Sequence, residues 1–429
     1  MTSLARRLPF HYGWLILAAG VLGNTVSGAA TFWSVSVYVP AIADDFEVDR
    51  FPVVLAFMIG QLVFALVGPF AGRFIDRQGP RRALLISSAG LPLALFATSF
   101  STSIWQLFIG WAVVSALRPL MMPIPYNWAL TRWFDAKRQA ALGVVTVGFG
   151  LGGAAILPLL AAVEASADWS AAMITSGVLV LVVQGSLALF IVRDRPSDLG
   201  LRMQGAVEGV ASRNADDEWG FTAGQAVRTP MFWLLSIGLM FFFMGQGAMT
   251  TLAIDFFESR AVQGGAGLLA ASALLRTIMR LPFGLAINRV DRVFRLAMVV
   301  VASQAIALGV LTASTSAGAI WTWVLLWGVG GALAPMIEPL LINRAFGVRH
   351  FGAISGVVTM ISFGGQILGP IGGAALFDAT DSYTIPFSLY VAGFVLSAVL
   401  FFTASIIVRS PSFVAAKGRA SSGEPAPAR

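Results

Sequence analysis

Hydrophobic residues gather in long runs along this chain, and each run ends at a charged residue or at a break rich in glycine and proline. Twelve runs approach the roughly 20 apolar residues that an α-helix needs to cross about 30 Å of hydrocarbon. The pattern therefore predicts an all-α integral membrane protein with twelve transmembrane helices. The predicted spans are 13–38, 52–74, 83–100, 104–131, 139–163, 170–192, 231–254, 264–288, 295–314, 319–342, 352–376 and 384–408.

The charged residues are few and lie unevenly between the loops. Only 11% of the residues are charged, and 57% are hydrophobic. With both termini placed inside, and with Arg73 and Arg295 at the inner ends of their spans counted as inner, 23 of the 28 Lys and Arg residues fall on the inner side, 2 on the outer side and 3 deep within spans. Since positive loops stay in the cytoplasm, this bias predicts cytoplasmic termini in a plasma membrane, the inner membrane of a bacterium. The net charge of +7 is thus a topology signal, and we expect no nucleic-acid partner.

Residue types used in covalent chemistry are scarce. The chain has no cysteine and only two histidines, His11 and His350, both at predicted cytoplasmic ends. This argues against a disulfide framework, a thiolate nucleophile and a Cys/His metal site. No span places a nucleophile, a base and an orienting acid at usable spacing. We therefore expect no catalytic residue, no metal and no cofactor.

Short blocks of sequence recur at an almost constant spacing. Residues 143–146 (GVVT) match residues 356–359 (GVVT) at an offset of 213. Residues 116–119 (ALRP) resemble residues 332–335 (ALAP) at an offset of 216, and further blocks match at 212. Agreement between independent blocks indicates two duplicated six-helix halves.

A polar segment divides these halves, and a second one follows them. Residues 193–229 are the only long polar stretch before the end of the chain, and we predict a cytoplasmic linker with a short amphipathic helix near 221–227. The last 20 residues lack the apolar content to fold. The predicted domains are an N-terminal half 1–192, the linker 193–229, a C-terminal half 230–409 and a disordered cytoplasmic tail 410–429.

The eighth run contains two arginines, Arg276 and Arg280, which lie one helical turn apart on one face. No carboxylate occurs between Arg260 and Asp291, so neither cation has a partner within its own span. A guanidinium stays charged and costs at least about 2.5–3.5 kcal/mol at the bilayer centre. This face is therefore expected to meet protein, a water-filled cavity or an anion.

A third arginine, Arg118, lies in the middle of the fourth span, at a depth similar to that of Arg276 in the other half. Cations at matched depth attract an anion, and a carboxylate accepts the planar guanidinium with two hydrogen bonds. Arg118, Arg276 and Arg280 are therefore predicted to bind a small anionic substrate. The alternative is that each arginine bonds backbone carbonyls freed where proline breaks a helix.

Two further polar residues are candidates for the transport site. Tyr126 lies on nearly the same side of the fourth span as Arg118 and is a candidate donor to a bound carboxylate, with plain packing as the alternative. Glu338 is the only carboxylate deep in a span. It is a candidate coupling residue that pairs with Arg280 or exchanges a proton. A static salt bridge between helices is the alternative.

The loop after the second span, residues 72–82, places one aspartate among four arginines. Such a carboxylate can form charge-assisted hydrogen bonds to neighbouring helix ends and so hold one face of the molecule shut. Positive-inside anchoring alone is the alternative. A weaker copy, with Asn288 and Arg289, follows the eighth span. We predict a cytoplasmic gate formed by Gly72, Asp76, Arg77, Arg81 and Arg82.

The 72–82 loop in this place, with its weaker copy, resembles the major facilitator superfamily over essentially the whole chain. The resemblance implies two parallel six-helix halves around a central site that opens alternately to each side of the membrane. Within the superfamily the chain looks like the branch of monocarboxylate transporters and oxalate/formate exchangers. That likeness rests on Tyr12-Gly13-Trp14, on Arg132-Trp133-Phe134 with Arg138 and Gly143, and on Arg280.

Two departures limit what this branch resemblance implies. Monocarboxylate transporters carry an acid one turn before the eighth-span arginine, where this chain has Arg276. The oxalate exchangers use a lysine in the eleventh span, whereas lysine occurs here only at Lys137 and Lys417. Only Arg280 is therefore carried over as a binding residue.

The sequence thus predicts a secondary active transporter for a small organic anion, a mono- or dicarboxylate, working by alternating access with proton symport or anion exchange. We expect the anion, protons and the lipid bilayer as partners, and a monomer as the functional unit. Two alternatives stay open. One is an efflux carrier for amphiphilic drugs or metabolites, with cavity Phe and Met residues as its surface, and the other is a carrier-like membrane receptor.

Overall fold

The computed structural model describes residues 9–135, 137–205, 219–262, 264–286, 293–411 and 413. Within these residues the twelve predicted spans correspond to twelve helical segments, which confirms the all-α membrane fold. Eleven of them are long and apolar enough to cross a membrane, and the other, α8, carries Arg276 and Arg280. The segments are α1 Gly13–Asp45, α2 Arg50–Gln78, α3 Pro80–Ser99, α4 Ile104–Trp133, α5 Arg138–Ser166, α6 Trp169–Ile191, α7 Pro230–Ser259, α8 Gly265–Ala286, α9 Val293–Ala313, α10 Ala317–Phe346, α11 Phe351–Thr380 and α12 Thr384–Ile407.

Several helices extend beyond their apolar stretches, and glycines mark where they end. The helices α2 and α10 each run four residues past the predicted limits, to Gln78 and Phe346. Gly79 and Gly347 follow them with φ angles of 81° and 78°. Such positive angles favour glycine, which has no Cβ to clash. The hydrophobic pattern therefore gives the buried length of a helix, and the glycine gives its end.

The helix α4 is interrupted where the sequence predicts a proline break. A 3₁₀ turn at Arg118–Leu120 separates helical segments 104–117 and 124–133. Proline has no backbone N–H, so Pro119 and Pro123 cannot continue the regular hydrogen-bond pattern. The break places Arg118 at the end of a helical segment.

The chain divides into two compact units. Unit 1 comprises Met1–Asp216 with His350–Gly356, and unit 2 comprises Asp217–Arg349 with Val357–Arg429. Corresponding helices pack alike: α3 packs against α6 in unit 1, and α9 packs against α12 in unit 2. The domain limits predicted from the sequence remain predictions, and the tail lies outside the described residues except at positions 410, 411 and 413.

Each described end of the linker pairs with the loop that follows a corresponding helix. In unit 1, Gln204 pairs with Phe134 after α4, in parallel. In unit 2, Gly220 pairs with Gly347 after α10, in antiparallel fashion. Residues 206–218 of the linker lie outside the described residues. The two ends of the linker thus attach at equivalent places in the sequence repeat.

Candidate functional site

The buried arginine of unit 1 is held by uncharged groups. Arg118 is 3% exposed. Its Nη1 donates a hydrogen bond to Gln61 Oε1 on α2, and its guanidinium carbon lies 4.6 Å from the centroid of the Phe64 ring. Gln61 and Phe64 are three residues apart and share a face of that helix. An amide oxygen and an aromatic face therefore stabilise this cation, in place of the freed carbonyls considered above.

In unit 2, Arg276 is connected to a chain of buried amides. Its Nη2 donates to Gln246 Oε1 on α7 at 3.4 Å, and Gln246 Nε2 donates to Gln304 Oε1 on α9 at 2.8 Å. Gln304 Nε2 then donates to the carbonyl oxygen of Leu326 on α10 at 3.0 Å. A carbonyl can only accept, so it fixes the direction of every hydrogen bond before it. The chain orients Arg276 without neutralising it.

One turn further along α8, Arg280 lacks this support. Its side chain is only 7% exposed, yet it makes no hydrogen bond and no ion pair with any residue that the structure describes. Arg276 and Arg280 also repel each other electrostatically. A buried charge without a partner is unfavourable by several kcal/mol. An anion from outside the chain would relieve that cost.

The carboxylate of α10 bonds to a neighbouring helix. Thr359 Oγ1 on α11 donates to Glu338 Oε1 at 2.7 Å. The pairing of Glu338 with Arg280 is not made, because equal depth along two helices does not fix the direction in which each side chain points. A hydroxyl can donate to a carboxylate and can accept from a protonated acid, so Thr359 suits both protonation states of Glu338.

Tyr126 points into the interior of unit 1. It is 1% exposed, and its hydroxyl donates to Gln184 Oε1 on α6 at 3.0 Å. Gly23 on α1 leaves the necessary space, since a Cβ there would lie 2.0 Å from the tyrosine oxygen. The hydroxyl is therefore already used by the protein. The role predicted for Tyr126 in substrate binding stays a prediction, and this geometry gives it no support.

In unit 1, Asp76 caps the start of α11. Its Oδ1 and Oδ2 accept hydrogen bonds from the backbone N–H groups of Gly352 at 3.0 Å and Ala353 at 2.7 Å. Trp128 Nε1 also donates to Oδ1, at 2.9 Å. The first N–H groups of a helix lack partners within it and favour a negative charge. Gly72 allows the approach, since a Cβ there would lie 1.9 Å from the Gly352 carbonyl oxygen.

Arg81 connects α3 to the end of α6. Its Nε and Nη2 donate to the carbonyl oxygens of Ala188 at 3.1 Å and Leu189 at 3.0 Å. In return, its backbone N–H donates to Asp194 Oδ1 at 2.9 Å. Burial raises the pKa of Asp194, and this hydrogen bond opposes the rise. The carboxylate thus caps the start of α3, while the guanidinium caps the end of α6.

The other two arginines of the predicted gate make no hydrogen bond to the described residues of α11 or α6. Arg77 is exposed, and Arg82 donates a hydrogen bond to Gln78 one turn earlier. Of the five predicted gate residues, Gly72 and Asp76 therefore contact the start of α11, and Arg81 joins helices within unit 1. The gating role of all five stays a prediction.

The polar partners that distinguish these sites were not predicted from the sequence. Gln304 lies on α9, a helix without a predicted site residue, and Thr359 is an ordinary residue in an apolar run. A lone glutamine deep in an apolar span was the available signal for Gln304, because buried amides need partners. Within the described residues, no three potential metal ligands gather.

Apolar helices with buried, partly uncompensated charges are typical of membrane transport proteins. Comparison with known families agrees. The profile of the Major Facilitator Superfamily matches residues 21–370. The chain belongs to this family, so it is a multi-pass membrane transporter and not an enzyme.

Individual relatives also match the branch resemblance. The chain is 26% identical over 365 residues to an oxalate:formate antiporter of Oxalobacter formigenes, covering 82% of this chain and 83% of that protein. It is 31% identical over 116 residues to monocarboxylate transporter 14 of Mus musculus, covering 27% of this chain and 23% of that protein. The solved structure of the human organic anion transporter MFSD10 matches with a TM-score of 0.69 at 12% identity, over 92% of this chain and 100% of that one.

Proposed function

We propose that this transporter moves a small organic anion, a mono- or dicarboxylate, by alternating access. We further propose that it lies in a bacterial inner membrane with both termini in the cytoplasm, as the loop charges predict. Its similarity to an oxalate:formate antiporter supports an anionic substrate.

The observation that carries this proposal is the state of Arg280. It is buried and lacks a partner among the described residues, whereas Arg276 is oriented by Gln246 and Arg118 is bonded to Gln61. A carboxylate can accept two parallel hydrogen bonds from one guanidinium and neutralise it. Arg280 is therefore the principal binding group, with Arg276 as an oriented second cation, and Arg118 stays a predicted binding residue.

A thermal-shift screen of short mono- and dicarboxylates on the purified protein tests this assignment. A ligand at 100 times its Kd stabilises the folded state by about 2.7 kcal/mol. We expect some carboxylates to raise the melting temperature of the wild type and to lose this effect in Arg280→Gln. Arg280→Lys keeps the charge but not the planar pair of donors, so it should retain weakened binding.

Thr277→Ala is the matched control on the same helix, because its hydroxyl bonds only to the Ala273 carbonyl of α8. This variant should bind like the wild type. Carboxylate binding that survives Arg280→Gln would contradict the assignment. A substrate set made of cations or neutral amphiphiles would favour the efflux alternative.

We propose Glu338 as the coupling residue if transport is driven by protons. Its hydrogen bond with Thr359 is compatible with a charged and with a neutral carboxyl group. In proteoliposomes, Glu338→Gln should abolish uptake driven by an inward proton gradient but preserve exchange against internal substrate. If the uptake rate of the wild type does not change with the proton gradient and rises only with internal substrate, the protein is an anion exchanger.

We propose that Asp76 and Gly72 stabilise one closed state through the start of α11. The hydrogen bonds of Asp76 to Gly352 and Ala353 support this role. Arg81 then contributes indirectly, because it fixes the start of α3 directly after the loop. Arg77 and Arg82 complete the proposed gate as charges of the cytoplasmic surface.

A further inference from the structure

An open groove lies between α9 and α12 of unit 2, at the ends that loop charge predicts to be cytoplasmic. It measures about 450 Å³. Two arginines, Arg295 and Arg409, line it together with two serines and three apolar side chains, Met298, Phe402 and Ile406. The groove is thus basic at one end and apolar along its length.

The side chains of both arginines are exposed, and neither guanidinium forms a hydrogen bond or ion pair with the part of the chain that the structure describes. Arg295 is the third residue of α9, within the first turn. A cation is disfavoured there because the N-terminal end of a helix carries partial positive charge. Residues 287–292, which include Asp291, lie outside the described residues. The local charge therefore favours an anion.

The apolar part of the groove follows one face of α12. Phe402 and Ile406 are 52% and 56% exposed, and Val395 and Val399 continue this stripe toward the membrane interior. Spacings of three and four residues place these side chains on a single helix face. In a bilayer such a face contacts acyl chains. The groove therefore has a basic end that suits a lipid headgroup and an apolar side that suits an acyl chain.

In unit 1, the corresponding place between α3 and α6 contains an anion that belongs to the chain itself. Arg82 is the third residue of α3, as Arg295 is of α9. Arg193 lies two residues after α6 ends, as Arg409 does after α12. Asp194 follows and caps α3. Ser410 occupies the matching position in unit 2, so a hydroxyl stands there in place of the carboxylate of Asp194.

We propose that the α9–α12 groove binds an anionic phospholipid of the cytoplasmic leaflet. The phosphate lies between Arg295 and Arg409, and one acyl chain follows Phe402 and Ile406. The cytoplasmic leaflet carries the anionic lipids, and basic pockets between membrane helices on that side suit their headgroups.

The experiment titrates the purified full-length protein in detergent with phosphatidylglycerol, with phosphatidylcholine of the same acyl chains, and with inorganic phosphate. Native mass spectrometry counts bound lipid, and melting temperature reports stabilisation. We expect phosphatidylglycerol to bind and stabilise most strongly. The double variant Arg295→Gln/Arg409→Gln should weaken it about 10- to 30-fold, since each basic residue contributes about fivefold near a membrane surface.

Arg228→Gln/Arg344→Gln is the matched control, because both arginines are exposed in unit 2 and lie outside the groove. It removes the same charge and should leave phosphatidylglycerol binding within about twofold of the wild type. Equal weakening by both double variants would overturn the proposal in favour of unspecific charge attraction. Stabilisation by inorganic phosphate equal to that by phosphatidylglycerol would overturn the lipid assignment.

A gain-of-contact variant keeps the test decisive even if the double variant folds poorly. Ser410→Asp places in unit 2 the carboxylate that unit 1 has at Asp194. It should raise the melting temperature of the lipid-free protein and weaken phosphatidylglycerol binding about fivefold or more. Undiminished phosphatidylglycerol binding by this variant would overturn the proposal.

Discussion

The two units contain similar buried arginines in opposite electrostatic circumstances. In unit 1, Arg118 bonds Gln61 and lies over Phe64. In unit 2, Arg280 is equally inaccessible but has no partner among the described residues. Each unit thus contains a buried arginine in a membrane helix, and of these two arginines only Arg118 donates a hydrogen bond to a described residue, through Nη1.

The ends of the two units that the loop charges predict to be cytoplasmic differ in the same direction. Asp194 caps α3 in unit 1, and Ser410 stands at the matching place in unit 2. Unit 1 therefore supplies a hydrogen-bond partner at both places, whereas the guanidinium groups of Arg280, Arg295 and Arg409 in unit 2 have none among the described residues. A buried charge without a partner is unfavourable, so we expect external anions to bind mainly to unit 2.

The variant Asp76→Ala is expected to have the largest effect, and it tests how much the stability of unit 1 depends on its internal hydrogen bonds. Asp76→Ala leaves Trp128 Nε1 and the N–H groups of Gly352 and Ala353 without their acceptor. We expect a loss of about 3 kcal/mol, since each orphaned donor costs about 1–3 kcal/mol and some are partly reached by water. Thermal unfolding in detergent measures this loss.

Asp135→Ala is the control for the Asp76 variant, because Asp135 forms a 3.4 Å ion pair with Arg138 and its side chain is half exposed. It should cost less than about 1 kcal/mol. The chain has no cysteine, so Ser355→Cys gives a background-free reporter at the start of α11. Asp76→Ala should speed its labelling by a maleimide. Equal stability losses in the two aspartate variants would mean that the α11 cap contributes little.

The second prediction compares the two buried arginines directly. Arg118→Met leaves Gln61 Oε1 without its donor and removes the contact with Phe64, so we expect a loss of about 2 kcal/mol. Arg280→Met removes an unpartnered charge and should raise the stability of the ligand-free protein by about 1 kcal/mol. Melting temperatures without substrate test both. Shifts of the same sign would break the contrast between the units.

Sequence patterns predicted the helices well because burial in a membrane requires long apolar runs. The span with Arg276 and Arg280 was found in the same way, and the ends at Gln78 and Phe346 were missed only because polar helix turns continue to the next glycine. The linker helix Ala223–Val227 agrees with the amphipathic stretch predicted near 221–227.

The candidate site was less accessible to sequence reasoning. Depth along a helix placed Arg118 and Arg276 near the middle of their spans and gave Glu338 and Arg280 a similar depth, but it carried no information about direction around the axis. Partners such as Gln61, Gln304 and Thr359 depend on that direction and on contacts distant in sequence. Which arginine is satisfied therefore emerged only from side-chain geometry.

The third prediction concerns the amide chain that orients Arg276. Gln304→Leu leaves Gln246 Nε2 without its acceptor and removes a side-chain hydrogen bond from the Leu326 carbonyl within α10, so we expect a stability loss of about 1–2 kcal/mol. Because Arg276 loses its orientation, carboxylate affinity should fall about three- to tenfold. Thr312→Val is the control on the same helix, with a hydroxyl that bonds to the Leu308 carbonyl of α9. Unchanged affinity in Gln304→Leu would remove Arg276 from the binding site.

The smallest expected effect decides whether Tyr126 belongs to the interior of unit 1 or to the transport site. Tyr126→Phe removes one buried hydrogen bond to Gln184, which should cost about 1 kcal/mol and leave carboxylate affinity unchanged. Tyr38→Phe is the matched control, since its buried hydroxyl bonds Ser176 at 2.8 Å in the same unit. A drop in affinity in Tyr126→Phe but not in Tyr38→Phe would show that unit 1 lends a hydroxyl to the substrate. Unit 1 would then also contribute to substrate binding, and the contrast between the two units would not hold.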